Sequence, residues 1–346
     1  MEAQMKPAIQ SSRRNERTKL LVISDKISHT SFGEIAAQFN ARDVLVINSS
    51  ATLPSSLNGR VQRTREEIEI RLAAYQGGDS KDLRKWAAIT FGVGEWRVKT
   101  ENRVAPPVVV VGDLLDFGGA VTAEILLVDH THPRKIQLQF QGDNFIHEIY
   151  RIAKPIQYSY LTSDLHIWDQ QTIFSSVPVS VEPPSGSFAV THALLEELGK
   201  LGVEIIPILH SAGISSSGDK DLDRAFPLNE FYEISERSAC ALNRAIKGGK
   251  RITALGTSVV RAVESSFDVS ESRIRRGPGI SNLRIDSKRR LNVVDRLVTG
   301  LHDSKSSHMS LLGAFAPEGM IRKAYEEAEV RGYLNHEYGD LSLVGF

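Results

Sequence analysis

RITALGTSVVRAVES, residues 251–265, changes its period at a single glycine. Arg251–Leu255 reads as a short buried strand, Gly256 breaks it, and Thr257 or Ser258 opens a helix. A strand that turns directly into a helix presents free backbone N–H groups and hydroxyls to an anion or a carboxylate. Arg261 and Glu264 follow one turn further on, three residues apart and so on one side of the helix. The same spacing also describes a plain helix cap with a surface ion pair, and taken by itself favours it.

Outward from this stretch the alternation continues. Thr191 can cap a helix whose Leu194, Leu195, Leu198 and Leu201 share a face; Gly202 ends it and residues 203–209 form a strand. Ser235 can cap a second helix with Ala239, Leu242 and Ile246 on one face, stopped by Gly248 and Gly249. Pro317 fits the first turn of a helix running to about residue 331, and residues 341–344 read as a closing strand. Towards the N-terminus, residues 20–24 and 43–48 are short apolar strands, with a helix or turn over residues 32–39. Helices alternating with strands imply an α/β layer with at least partly parallel strands.

Between these blocks the character changes. Residues 67–72, 86–91, 107–111, 121–128 and 135–140 all read as strands, separated by Gly, Asp, Asn and Pro. Short strands at regular spacing suggest a small antiparallel barrel or sandwich. The expected fold is an α/β core (19–58 and 153–346) with an inserted all-β, barrel-like domain (59–152), behind a disordered tail (1–18).

Composition narrows the function classes. The 346 residues include 42 Lys plus Arg and 42 Asp plus Glu, a balance unlike that of a dedicated nucleic-acid scaffold. It leaves room for local patches, at Arg273, Arg275 and Arg276 and at Lys288, Arg289 and Arg290, although solvated loop faces look the same. The lone cysteine, Cys240, excludes a disulfide framework, and its helical setting suggests a small buried thiol. No His/Cys cluster has metal-ligand spacing, so no metal site is expected. The apolar runs are too short to span a bilayer, and the polar first eighteen residues carry no signal-like apolar region; a cytoplasmic location is expected.

Three further constellations could carry chemistry. In NEFYE (229–233), Glu230 and Glu233 could work as an acid/base pair or could simply complement a helix dipole. In TGLHDSKSS (299–307), His302, Lys305 and Ser306 cluster in a loop, as solvated residues also do. His210 closes a strand, where side chains of α/β folds often reach a ligand. The phosphate-binding glycine motifs, the nucleophile elbow and the zinc-protease motif are all missing from the sequence.

Taken in order, these segments resemble the S-adenosylmethionine:tRNA ribosyltransferase-isomerase family from about Lys19 onward. The family's glycine-threonine run ending in R-x-L-E-S is similar to Gly256, Thr257 and Ser258 through Arg261, Glu264 and Ser265. Its glutamate before an aromatic pair resembles Glu230, Phe231 and Tyr232, and its P-G dipeptide resembles Pro278 and Gly279. Its A-Y-x-x-A and Y-G-D-A-M-L-I resemble residues 324–328 and 338–344. There are departures. N-D-T-R stands here as Asn48, Ser49, Ser50 and Ala51. The histidine of P-T-A-G-L-H-F-T is Ala189, that of M-H-S-E is Leu228, and N-F-H-L-P at residues 300–304 keeps only His302.

The resemblance implies transfer and isomerisation of the ribosyl part of S-adenosylmethionine onto the aminomethyl group of a 7-deazaguanine in tRNA. Adenine and methionine leave, and epoxyqueuosine forms. It implies S-adenosylmethionine as co-substrate with no permanently bound cofactor, a tRNA anticodon region as partner, and a monomer. It assigns Thr257, Ser258 and Arg261 to anion or carboxylate contacts. Glu230 goes to the amine or a ribose hydroxyl, His302 to proton transfer, and Tyr338 and Asp340 to the pocket wall. Glu264, Lys305, Ser306 and His210 complete the expected substrate-binding set. Two other readings stay open: ribosyl transfer to a small-molecule acceptor, and a non-catalytic paralogue that binds a nucleoside.

Overall fold

The computed structural model describes residues 5–11, 18–98, 100–224, 226, 228–302 and 307–346. The chain enters its main sheet through β1 (Lys19–Ile23) and β2 (Ile27–Ser31), passes a 3-10 helix (Phe32–Gln38) and returns as β3 (Asp43–Asn48). Six strands then leave the sheet: β4 (Ser56–Val61), β5 (Glu67–Tyr75), β6 (Lys85–Phe91), β7 (Leu114–Asp116), β8 (Thr122–Val128) and β9 (Lys135–Gln141). They close into an antiparallel barrel in the order β8-β9-β6-β5-β4-β7. Strand β9 shows why: Ile136, Leu138 and Phe140 point inward while the intervening glutamines do not, the period-2 alternation of a half-buried strand. Helix α1 (Phe145–Ile152) lays Phe145 and Ile149 against that interior.

The main sheet is completed by α2 (His192–Lys200), β10 (Glu204–His210), β11 (Glu230–Ile234), α3 (Glu236–Lys247), β12 (Arg251–Leu255) and α4 (Thr257–Ser266). Then come β13 (Gly277–Ser281), β14 (Arg296–Gly300), α5 (Ser307–Leu312), α6 (Glu318–Val330) and β15 (Leu341–Gly345). Its nine strands run β13-β11-β10-β3-β12-β14-β15-β1-β2. The four at the centre, β10, β3, β12 and β14, are parallel. Strand β3 is buried on both faces, as a central parallel strand must be. Val44 and Val46 pack with α3, α4 and α6, whereas Leu45 and Ile47 pack with the 3-10 helix and α2. The α/β core interrupted by a barrel agrees with the expected fold class.

Four expectations need correction. Part of the expected disordered tail is ordered: Lys6–Pro7 pairs in parallel with Leu334–Asn335, and Ala8 is buried beside Tyr338. Residues 107–111 form no strand, because Pro107 has no N–H and the Val110 N–H is taken by the Asp113 carboxylate at 2.9 Å. Pro317 caps α6 from outside, with φ −59° and ψ 135°, and is not in its first turn. Cys240 is exposed on α3; Ala239, Ala241 and Leu242 take the buried face. Among the described residues, no helix is long and apolar enough to cross a membrane, and no group of three or more His, Cys, Asp or Glu could hold a metal ion.

Candidate functional site

The carboxyl ends of the four parallel strands fall together at Asn48, His210, Leu255 and Gly300, the edge where open α/β sheets bind ligands. Gly256 makes the turn into α4 at φ 99°, a region that L side chains rarely adopt, and its N–H bonds the Val298 carbonyl at 2.8 Å. No side chain caps this helix start. Thr257 Oγ1 instead stands 3.2 Å from Nε2 of His308, and Ser258 sits half-buried beside it.

His308 stacks on His302 with ring centroids 3.7 Å apart. Burial pushes the His308 imidazole down to about 4, with the Arg261 charge adding to the effect and Glu230 opposing it. His302 is pushed well below its ordinary value by burial and by its two histidine neighbours, His308 and His336. Both rings are therefore neutral near pH 7.

Across the strand ends lies a carboxylate cluster. Glu230, at the start of β11, pairs with the Arg261 guanidinium and accepts the Gly213 N–H at 3.0 Å; Nε2 of His210 lies 3.3 Å from it. Burial would raise the Glu230 carboxyl, but His210, Arg261 and the Gly213 N–H outweigh it and hold the group ionised. Arg261 anchors Nε on the Leu283 carbonyl at 3.1 Å. Its Nη2 and both ring nitrogens of His210 are buried, and none completes a well-aligned hydrogen bond among the described residues. Buried polar atoms left open in this way call for an explanation, and a ligand is one.

The neighbouring Glu182 accepts the N–H and hydroxyl of Ser215 at 2.8 and 2.9 Å. Burial, helped by the Glu337 and Glu230 charges, pushes its carboxyl up to about 8, so it is mostly protonated at neutral pH. Aromatic rings close this side: Tyr160 bonds the Glu337 carboxylate and stacks on His336, and Phe188 stacks on Tyr338 at 5.1 Å.

The structure therefore brings Glu230, Arg261, His210, Thr257, Ser258 and His302 to one edge. It turns two other expected site residues towards the scaffold. Glu264 accepts the N–H groups of Asn292, Val293 and Val294 at 2.9 to 3.0 Å, pinning the loop before β14. Asp340 is fully buried, with its oxygens on the Lys19 and Leu334 N–H groups at 2.7 and 2.8 Å. Tyr338 packs in an apolar cluster with Ala8, Leu161 and Leu165. Lys305 and Ser306 lie outside the described residues.

The sequence reading did not single out Glu182 or His308. His308 falls one residue beyond the flagged run, and Glu182 stands just before Pro183 and Pro184, where a strand-end turn could have drawn notice. At the departures from the family pattern, Ala189 joins an apolar cluster and Leu228 packs on the barrel side. Ser49 and Ser50 bond the Ile208 carbonyl and the Ser180 hydroxyl at 3.0 and 2.6 Å.

A mixed α/β sheet with four parallel central strands and a polar cluster at their carboxyl ends, and a six-stranded barrel looped out between β3 and β10, defines a two-part class of α/β protein. Comparison with known proteins narrows it. The model of the family described as queuosine biosynthesis protein matches residues 3–344. Relatives named S-adenosylmethionine:tRNA ribosyltransferase-isomerase include those of Heliobacterium modesticaldum and Deinococcus radiodurans. The first is 26% identical, covering 95% of this chain and 93% of that one. The second is 29% identical, covering 95% and 89%. The crystal structure of S-adenosylmethionine tRNA ribosyltransferase from Thermotoga maritima superposes with a TM-score of 0.50 at 23% identity, covering 98% of both chains, a likeness of fold. The chain belongs to the queuosine biosynthesis protein family.

Proposed function

We propose that this protein is an enzyme that transfers and isomerises the ribosyl moiety of S-adenosylmethionine onto the aminomethyl group of 7-aminomethyl-7-deazaguanine in tRNA. Epoxyqueuosine forms, and adenine and methionine are released. The observation that carries the reading is the pairing, at one strand edge, of a charged Glu230–Arg261 cluster with a neutral His302–His308 stack. Family membership and the relatives' names support the substrates.

The sulfonium of S-adenosylmethionine acidifies the neighbouring C5′ protons, so a positioned neutral imidazole suffices as base. His302 and His308 fill that role, with Thr257 orienting the second ring. Adenine departs with the electron pair of its glycosidic bond and needs a proton, which the protonated Glu182 can give. Methionine leaves as a neutral thioether. Arg261, through its open Nη2, and the uncapped start of α4 at Thr257 and Ser258 receive the methionine carboxylate. Anionic Glu230 holds the acceptor amine or a ribose hydroxyl, with His210 beside it. In this proposal the protein works as a cytoplasmic monomer on the anticodon region, without a resident cofactor. The barrel insertion over residues 59–152 acts as a unit distinct from the core.

The test is adenine release from S-adenosylmethionine by purified protein, with and without tRNA carrying the aminomethyl-deazaguanine base. Release that depends on this tRNA is expected. The rival reading, a small-molecule acceptor, draws on the apolar packing of Ala189 and Leu228 at positions where the resemblance expects histidine. It predicts release with the free deazapurine and none with tRNA. If Glu230→Gln and His302→Ala both leave turnover within a few-fold of wild type, the catalytic assignment is wrong.

A further inference from the structure

A cavity of about 280 Å³ that shares no lining residue with the strand-end cluster lies between the outer face of the barrel strands β4 and β5 and the segment around Lys154. Its floor is a buried ion network. Glu69 accepts the Ser56 hydroxyl at 3.0 Å and Arg71 Nε at 2.6 Å, and pairs with Arg103. Each nitrogen of Arg103 is engaged, the other two bonding the Val98 and Glu95 carbonyls at 3.1 and 2.7 Å. The single floor carboxylate is thus neutralised twice over, and Arg71, whose guanidinium lies over the Phe91 ring at 4.4 Å, lines the cavity with its terminal nitrogens making no hydrogen bond among the described residues. Lys154 is exposed on the wall and has no ion-pair partner among the described residues. Trp96 adds a buried indole N–H with no acceptor among them, and Arg97 covers its ring at 4.4 Å while pairing with Asp164 at the rim.

Glu95 and Asp164 also bring carboxylates to the lining, but Arg71, Arg97, Arg103 and Lys154 still outnumber its three acids, so the chemistry suits an anion with several oxygens, held by a guanidinium fork and an ammonium. Strand β5 links this cavity to the site described above. Glu69 and Arg71 sit near one end of the strand. Towards the other, the Ala73 carbonyl accepts the Ile214 N–H at 2.9 Å and lies against Gly213, which in turn bonds Glu230. From Arg71 to Ala73 is two residues of strand, about 7 Å, a distance that one RNA strand bridges readily.

We infer that the cavity lined by Arg71, Lys154 and Trp96 is a phosphate-ester subsite, and that its occupant is the RNA backbone flanking the base held at Glu230. The inference rests on the proposed tRNA acceptor. A free phosphate would satisfy the same chemistry, and the test separates the two sources.

The measurement is binding of the aminomethyl-deazaguanine tRNA to wild type, Lys154→Ala and Lys154→Glu across a salt series. S-adenosylmethionine affinity and melting temperature serve as controls for folding. Lys154→Ala is expected to weaken tRNA binding and to flatten the slope of log affinity against log salt by about 0.7–0.9, the signature of one lost phosphate contact. Lys154→Glu should weaken binding further, and both should raise KM for tRNA far more than they lower kcat. Affinity and slope unchanged in both variants, with tRNA-dependent adenine release intact in wild type, would overturn the subsite and leave the function standing. Failure of wild type to bind tRNA at any salt would overturn both. Binding of inorganic phosphate that Lys154→Ala abolishes, with tRNA affinity unchanged, would assign the cavity to free phosphate and overturn the RNA reading.

Discussion

The same four parallel strands carry buried charge at both ends, and the two ends are built differently. At the amino edge, Asp43 receives both Nε and Nη2 of Arg251 at 2.6 and 3.0 Å, Nη2 of Arg296 at 3.3 Å and the Asn40 N–H at 2.7 Å. Arg296 places its remaining nitrogens on Thr253 and the Gln38 carbonyl at 3.1 and 2.8 Å. Burial brings Arg296 down to about 10, yet it remains charged at neutral pH. At the carboxyl edge, Glu230 and Arg261 pair just as closely, but among the described residues Arg261 Nη2 and Nδ1 of His210 are left open. A saturated buried network holds strands together, whereas one with vacant donors keeps binding capacity for something else.

Four substitutions and conditions put this contrast under strain. Glu230→Gln should lower turnover by about 10²–10⁴-fold while the melting temperature stays within a few degrees; a large loss of stability instead would make the carboxyl edge a second structural network. Asp43→Ala should do the reverse. Leaving Arg296 buried and unpaired costs about 3–5 kcal/mol in urea unfolding, with activity per folded molecule retained. Glu264→Ala should cost about 1–3 kcal/mol, because three backbone N–H groups before β14 lose their acceptor, again with little effect on turnover. A loss of activity without loss of stability would return Glu264 to the site.

The smallest effect concerns pH. Glu182 is raised in the folded state, so its contribution is complete below the ordinary carboxylate range and is lost as pH rises towards about 8. His308 is lowered to about 4, so its contribution is present above the ordinary imidazole value and is lost as pH falls. Melting curves should therefore show Glu182→Gln removing a decline of stability between about pH 5 and 8. If the variant and wild type decline in parallel over that window, Glu182 is already ionised in the folded protein.

Regular elements were the most legible part of the sequence. The change of period at Gly256 located β12 and α4, and the alternation in residues 135–140 located a barrel strand, since both patterns record which face is buried. What periodicity could not show is where a polar side chain finds its partner. Arg261 and Glu264 are three residues apart on one helix, yet Arg261 reaches 31 residues back to Glu230 and Glu264 reaches 28 forward to Asn292. Likewise Lys6–Pro7 sits in a polar stretch with no strand pattern of its own and is ordered by Leu334–Asn335, far away in sequence. Local rules give the elements; long-range hydrogen bonds distribute the roles.

That last pairing belongs to a wider arrangement. Strand β15 lies between β14 and β1, so apart from its hairpin partner β2, β1 gains a sheet neighbour only from residues 341–344. On the ribosome, roughly 20–60 s separate synthesis of β1 from that of β15 at ordinary rates of elongation. Throughout this interval the β1–β2 hairpin keeps a bare edge, while the barrel gains the last of its six strands by residue 141. Deleting β15 would therefore do more than strip one edge of β14: it would remove the strand that joins the β1–β2 hairpin to the rest of the sheet.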